Sequence, residues 1–146
     1  MTGPRSAAGV GPMSWRQRLE RPEQSQVKPV PIPIAGMKAG QIMLVPTARQ
    51  VDAFIRSIPS GQSMSTQALR AALAAGNQAE VTCPITTGFH LRTVAEAAFE
   101  RFQQGVPMAE LTPFWRVLDE AAPTSRKLSF GYEFVRRQRA AEGLAP

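Results

Sequence analysis

From about residue 43 onward, apolar residues recur at intervals of three and four, which is the period of an amphipathic helix. Thr47 followed by Gln50 has the form of a capping box, so a first helix is predicted to begin there and to end at 59–61, where the sequence reads Pro-Ser-Gly. Ser65 is predicted to cap a second helix, because its hydroxyl can accept a free amide of the first turn. Gly76 with Asn77 is expected to end that helix.

A third helix is predicted to begin at Thr86 or Thr87 and to end at Gly105. Its apolar stripe consists of Leu91, Val94, Ala95, Ala98, Phe99 and Phe102. A last helix is predicted over about 132–142, with a glycine after it as the stop. The segment 114–118 is too short and too apolar for its periodicity to distinguish a helix from a strand. We interpret it as a buried extended piece.

Residues 1–42 differ from the rest in being rich in proline, with several glycines and serines. Such a composition does not bury enough apolar surface to offset the entropy of ordering, so a disordered tail is predicted. Within it, 29–33 reads Pro-Val-Pro-Ile-Pro and is expected to be extended, because alternate prolines restrict both themselves and the residues before them. This piece is a linker or a segment that docks on a partner.

Two short helices joined by a turn, with the second the longer and an extended stretch after it, are the parts of a winged helix-turn-helix. The sequence therefore predicts a mainly α fold: a winged helix-turn-helix domain over 43–146 with a small extended or wing element, preceded by the disordered tail. Because amphipathic helix pairs are common, a small helical domain of another kind is the alternative.

Composition narrows the choice of partners. The 146 residues include 43% apolar ones, enough for one small core, but no window is typical of a membrane span or of a secretory signal. The single cysteine, Cys83, excludes an internal disulfide, so a cytoplasmic protein without a membrane partner is expected. The net charge of +6 favours a polyanionic partner. Of this, +4 lies in residues 1–42, and eleven basic against nine acidic residues follow from Met43.

Three segments, taken in order, resemble the DNA-binding domain of the alkylguanine-DNA alkyltransferases. They are Leu91-Arg92-Thr93-Val94-Ala95, Pro113-Phe114-Trp115-Arg116-Val117, and the stretch from Arg136 to Gly143. In that family the second segment reads Pro-Cys-His-Arg-Val, and its cysteine accepts the alkyl group from a damaged base. Phe114 occupies the cysteine's place here. The chain is therefore similar to the alkyltransferase-like branch, whose members lack the cysteine and bind alkylated guanine without repairing it.

The resemblance implies roles for individual residues. In the family an arginine at the place of Arg92 fills the gap left by a base flipped out of the duplex, and a planar cation suits that place because it can stack. The DNA-contacting residues would be Ser65, Thr66, Gln67, His90, Arg92 and Arg116, with Thr66 where the family has a tyrosine. The lesion pocket would be formed by Phe114, Trp115, Ser129 and Tyr132. Arg92 paired with Glu96 on the helix surface is the alternative role for that arginine.

These residues predict a protein that binds DNA without catalysis. Phe114 cannot act as a nucleophile, and Glu142, which resembles the family's relay glutamate, would have nothing to activate. With one cysteine and one histidine, no metal site is expected, and no cofactor is implied. The hypothesis is a monomer that recognises an alkylated or altered guanine in double-stranded DNA by base flipping and flags it for a downstream repair protein. The alternative is a winged-helix DNA-binding or protein-interaction module with no lesion specificity, which a pocket filled by its own side chains would favour.

Overall fold

Five α-helices and three short strands make up residues 13–146, the part of the chain that the computed structural model describes. The elements are α1 (Trp15–Leu19), β1 (Gln26–Pro29), β2 (Ile42–Val45), α2 (Ala48–Arg56), α3 (Thr66–Gly76), β3 (Val81–Thr82), α4 (Pro84–Gln103) and α5 (Glu133–Ala141), with 3₁₀ turns at Met108–Glu110, Phe114–Arg116 and Pro123–Lys127. The mainly α fold class is confirmed, with a small sheet beside it. No helix of the described range is long and apolar enough to cross a membrane.

The helices begin and end where side chains can satisfy their free backbone groups. Thr47 and Gln50 form the predicted capping box at α2, with 3.1 Å from the Gln50 amide to the Thr47 Oγ1. Ser65 accepts the Ala68 amide at 3.0 Å and caps α3. Helix α4 begins at Pro84, two residues before the predicted start, because proline fits the first turn, where its missing N–H costs nothing.

The prediction of a disordered tail through residue 42 is wrong for residues 13–42, and residues 1–12 lie outside the described range. Helix α1 and strand β1 form within this segment. The piece at 29–33, predicted to be extended, is so only in part: Pro29 ends β1, and the chain bends at 31–32. It docks on the chain itself through Val30, which donates its amide to the Gln41 carbonyl at 2.9 Å and is 2% exposed. Ordering a proline-rich segment is possible here because its few apolar residues find a core that the rest of the chain supplies.

The sheet has the order β1-β2-β3, with β2 antiparallel to β1 and parallel to β3. Side chains of β2 alternate between its two faces. Leu44 joins the main core, which contains the buried apolar residues of α2 and α3 and the first part of the α4 stripe, from Leu91 to Ala98, whereas Phe102 at its end is 38% exposed. On the other face, Met43 joins a small second core with Val30, Met37 and Cys83. The sheet therefore separates two cores, and the N-terminal segment completes the smaller one.

The segment 114–118 is buried, as predicted, but it is not extended. Phe114–Arg116 forms a 3₁₀ turn, and no strand of the described residues lies after Thr82. The extended element that the sequence placed after the helix pair is therefore absent from that place, and the strands lie before α2 and before α4 instead. A run of apolar residues has the same appearance in a strand and in a tightly packed turn, which is why periodicity failed here.

Candidate functional site

The N-terminal half of α4 borders a cleft of about 480 Å³. Its walls are Thr66, Gln67, Arg70, Pro84, Ile85, Thr87, Gly88, Phe89, Leu91, Arg92, Pro123, Thr124 and Lys127, and we call it the α4 cleft. Three of these side chains are cationic and none is acidic. The positive charge comes from three different elements: Arg70 from α3, Arg92 from α4 and Lys127 from the last 3₁₀ turn.

Two helix N-termini open on the α4 cleft as well. Thr66 and Gln67 are the first residues of α3, and Pro84 and Ile85 are the first of α4. Pro84 has no N–H, but the first-turn amides of Thr66, Gln67 and Ile85 lack intrahelical acceptors and carry part of the positive end of the helix dipole. Together with the three cations, they make the cleft attractive to an anion.

Arg92, the residue that the resemblance places in the DNA, has a side chain that is 40% exposed and lines this cleft. Its Nε lies 3.8 Å from the Glu96 Oε2, and its guanidinium lies over the Trp15 ring, 5.2 Å from the centroid. Both a surface pairing with Glu96 and an exposed position in the cleft are therefore present. One side of the guanidinium is supported by the indole and its Nε is buried, so the exposed 40% of the side chain is the part that a ligand can reach.

Glu96 does not place a negative charge in the α4 cleft. Its side chain is 3% exposed, and its carboxylate accepts two hydrogen bonds from Ser129, one from the amide at 2.6 Å and one from the hydroxyl at 2.5 Å. These bonds satisfy a buried charge that would otherwise be costly. Ser129 is thereby fixed to α4 and serves to hold the loop before α5.

A second cleft, of about 360 Å³, lies next to the α4 cleft. It is lined by Met13, Arg18, Arg21, Glu23, Ala48, Phe89, His90 and Thr93, and we call it the α1 cleft. Phe89 lines both clefts, and it is 69% exposed. Ile85, one helical turn before it, is 48% exposed. Two large apolar side chains thus stand in water between two basic clefts.

Helix α1 is held against α4 by polar contacts as well as by packing. The carboxylate of Glu100 accepts the amides of Trp15 and Arg16, at 3.3 and 3.2 Å. Ser14 completes the N-terminus with a capping box. The Trp15 ring lies near two guanidinium groups, that of Arg18 at 4.5 Å and that of Arg92 at 5.2 Å from its centroid. One aromatic side chain therefore connects a cation of each cleft.

The predicted lesion pocket is filled by the protein's own side chains. Phe114 is 0% exposed and Trp115 is 3% exposed. Around them lie the rings of Phe130 and Phe134, with centroids between 5.4 and 6.3 Å in the pairs that involve Phe114 or Trp115. The Tyr132 hydroxyl donates to the Leu118 carbonyl at 3.4 Å, and burial raises the pKa of Tyr132. The interpretation of Phe114 and Trp115 as walls of an open pocket is therefore wrong, because they are core residues.

Arg116 was predicted to contact DNA, and the structure places it in an internal ion pair. Its Nε and Nη2 donate to the Glu142 carboxylate, both at 2.9 Å, and its Nη1 donates to the Ile58 carbonyl at 2.7 Å. Its side chain is 15% exposed. Each of the three guanidinium nitrogens donates inside the protein and the side chain is mostly buried, so this guanidinium has little left to offer a phosphate.

Glu142 is the centre of this lock. Its carboxylate also accepts the Trp115 indole N–H at 2.7 Å and the Gly61 amide at 2.9 Å. Burial raises the pKa of Glu142, but the hydrogen bonds from Arg116, Gly61 and Trp115 outweigh it and lower the pKa to about 2. The residue that resembles a catalytic relay therefore ties α5 to the 3₁₀ turn and to the loop before α3.

The remaining predicted residues are distributed over both clefts. Thr66 and Gln67 line the α4 cleft, next to the exposed cap residue Ser65. His90 lies in the α1 cleft, half-buried, with its Nε2 2.9 Å from the Pro46 carbonyl, and burial lowers its pKa. Cys83 is 9% exposed and belongs to the second core, outside both clefts. Within residues 13–146, no cluster of three or more His, Cys, Asp or Glu side chains could hold a metal.

Sequence reasoning missed the contributions of Arg18, Arg70, Ile85, Phe89 and Lys127. One signal was available: Ile85, Phe89 and Arg92 recur at four and three residues on one side of α4 that lies beside its apolar stripe, so that two large apolar residues fall outside the stripe. The approach of α1 to α4 had no local signal in the sequence. The sequence matches no family model and no curated protein, and the fold matches no solved structure.

Proposed function

We propose that the protein is a non-enzymatic DNA-binding module whose contact surface is the N-terminal half of α4. The observation that carries this proposal is the α4 cleft, which combines Arg70, Arg92 and Lys127 with two helix N-termini and no acidic side chain. Phosphate groups are the anions that such a combination suits. The modest net charge of the folded part does not argue against it, because the acidic residue nearest to Arg92 is turned inward.

In this proposal α3 and α4 act as the two helices of a helix-turn-helix, with α4 as the recognition helix. The connection between them contains β3, so it is longer than the usual three- or four-residue turn of this motif. Arg92 reaches base edges or the base stack, while Lys127, Arg70 and the first amides of α3 contact phosphates. The absence of a nucleophile at Phe114 and the position of Cys83 in the second core support binding without alkyl transfer.

Recognition of an alkylated or otherwise altered guanine is the finer form of this proposal. Because Phe114 and Trp115 fill the core, a flipped base would enter the α4 cleft instead, beside Arg92. The cleft's volume of about 480 Å³ is in the range of small-molecule pockets, and the exposed side chains of Ile85 and Phe89 provide apolar surface for a base. A DNA-binding module without lesion preference is the second candidate, and the filled pocket favours it.

The test measures the affinity of the purified protein for matched duplexes with and without one 6-O-methylguanine, over a series of salt concentrations. We expect binding that weakens with salt, with a slope of log affinity against log salt of about −2 for the phosphate contacts of Arg70 and Lys127. Arg92→Ala is expected to weaken binding roughly tenfold and to reduce the slope by about 1 if Arg92 contacts a phosphate. Tighter binding to the modified duplex, lost in this variant, would support lesion recognition.

Arg137→Ala is the matched control. Arg137 has a side chain that is 75% exposed, pairs with Glu133 on α5 and lines neither cleft. The substitution removes the same charge from another surface, so the affinity of this variant for DNA and its salt slope should equal those of the unchanged protein. Equal losses in both variants would mean that net charge, not the α4 cleft, governs binding. Failure of the unchanged protein to bind any duplex or single strand would overturn the proposal.

A further inference from the structure

Ile85 and Phe89 form an exposed apolar ridge on α4, and the proposed contacts with phosphates do not use it. Phe89 is 69% exposed, although a phenylalanine ring is among the side chains that gain most from leaving water. Phe99, Phe130 and Phe134 are partly buried and pack against one another, while Phe89 stands on the helix surface. Its position at the border of both clefts places a bare aromatic face in the middle of the basic surface.

Cations lie on both sides of this ring. On one side, the α4 cleft contributes Arg70, Arg92 and Lys127, and on the other side the α1 cleft contributes Arg18 and Arg21. The single acidic side chain in the two walls is Glu23, which lies 3.6 Å from Arg21. A polyanion that follows this surface therefore passes from one cleft to the other across Phe89. Aromatic side chains set in a basic groove are the combination that single-stranded nucleic acids favour.

We propose that Phe89 is a stacking platform for an unpaired base and that the preferred ligand of this surface is DNA with unpaired bases, a single strand above all. The inference rests on the proposed function, since it names the form of DNA that the same surface prefers. In a matched duplex every base face is already stacked, so Phe89 would have to force a base step apart, and the cost of unstacking offsets the gain. An unpaired base offers its face without that cost. The sequence of the strand matters little, because every base has such a face.

The neighbouring residues fit this role. Ile85 extends the apolar ridge by one helical turn and can contact the sugar or the edge of the stacked base. Arg92, supported by Trp15, can stack on the next base in the α4 cleft. Arg18, whose guanidinium lies 4.5 Å from the centroid of the Trp15 ring, has no carboxylate within ion-pair distance among residues 13–146 and is open to a phosphate.

The experiment compares three probes by fluorescence anisotropy: a labelled oligothymidine, a matched duplex, and the same duplex with a bulge of unpaired thymidines. The unchanged protein should bind the first and third about tenfold more tightly than the second. Phe89→Ala should lose that advantage and bind all three probes alike, whereas Phe89→Trp should keep it. Because Phe89 is mostly exposed, its truncation should leave the thermal unfolding temperature nearly unchanged, which a melt of each variant checks.

The outcomes separate the two proposals. If Phe89→Ala binds the single strand as tightly as the unchanged protein while Arg92→Ala does not, the stacking role is overturned and DNA binding through the α4 cleft stands. Preference of the unchanged protein for the matched duplex would also overturn the stacking role alone. If no probe binds at any salt concentration, the proposed function itself fails, and with it this inference.

Discussion

Glu142 shows how one carboxylate can hold three distant segments together, and its titration makes this measurable. The folded state lowers its pKa from 4.5 to about 2, so its ionised form stabilises the fold at neutral pH. This contribution is fully present above pH 4.5 and is lost as the pH falls through about 2. The largest share therefore disappears in acid, not near neutrality.

Replacing Glu142 by glutamine should lower the free energy of unfolding by roughly 3 kcal/mol at pH 7, because Arg116 loses its partner in a largely buried place. The difference between the two proteins should shrink as the pH is lowered towards 2. Urea unfolding at several pH values measures this. Glu133→Gln is the control: its carboxylate is 61% exposed, and we expect less than about 1 kcal/mol. A difference that does not change with pH would show that the charge of Glu142 is not what matters.

Helix α1 depends on its neighbour for its existence. Five residues are far fewer than the roughly 12 to 15 that an isolated helix needs to be even marginally stable in water. The carboxylate of Glu100 on α4 satisfies two of its free amides and complements its positive end. Glu100 therefore helps to fix the position of the cationic side chains of α1, although Glu100 itself lines neither cleft.

Glu100→Ala should therefore loosen α1 without disturbing the other helices. We expect the amides of 15–19 to exchange with solvent about tenfold faster, since losing a helix cap costs on the order of 1 kcal/mol. Amides of α3 should be unaffected. Hydrogen exchange read by mass spectrometry gives both values, and Glu110→Ala, at an exposed position outside α1 and α4, is the control. Unchanged exchange in α1 would mean that packing of Trp15 and Leu19 suffices to hold it.

Local signals predicted the helices, and their absence explains what was missed. The Thr47 and Gln50 box and the Ser65 cap act within four residues, so α2 and α3 were found with their true starts. Strand β1 is four residues long and all four are exposed, so its polar and apolar alternation is too short to indicate a buried face. The 3₁₀ turn at Phe114–Arg116 lies in a mostly apolar stretch of sequence that shows neither a helical nor a strand period. Both lacked the pattern from which an element can be predicted.

The candidate site was predicted only in part, for a related reason. Arg92, Thr66, Gln67 and His90 do line the two clefts. The residues of the expected pocket, however, were assigned from a resemblance in form, and the large volume of Phe114 in a closed core leaves no space at that place. Contacts such as Trp15 with Arg92 join residues far apart in the chain, and no spacing rule connects them.

Residues 13–42 are part of the folded molecule, which a fragment of residues 43–146 tests. This fragment lacks β1 and two buried residues of the second core, Val30 and Met37. At about 1.5–3 kcal/mol for each buried side chain, it should lose up to roughly 3–6 kcal/mol of unfolding free energy. Cys83, now uncovered, should react much faster with a thiol reagent. Equal stability and equal thiol reactivity of fragment and full chain would contradict the structure.

The fluorescence of the Trp15 indole can report on ligand binding. The chain has two tryptophans, and Trp115 lies sealed in the core, with its N–H bound to Glu142. Trp15 lies at the junction of the two basic clefts, next to Arg18 and Arg92. Any ligand that draws these guanidinium groups away changes the surroundings of one fluorophore and leaves the other as an internal reference. The protein thus carries its own optical reporter, and occupancy of the surface can be followed without attaching a label.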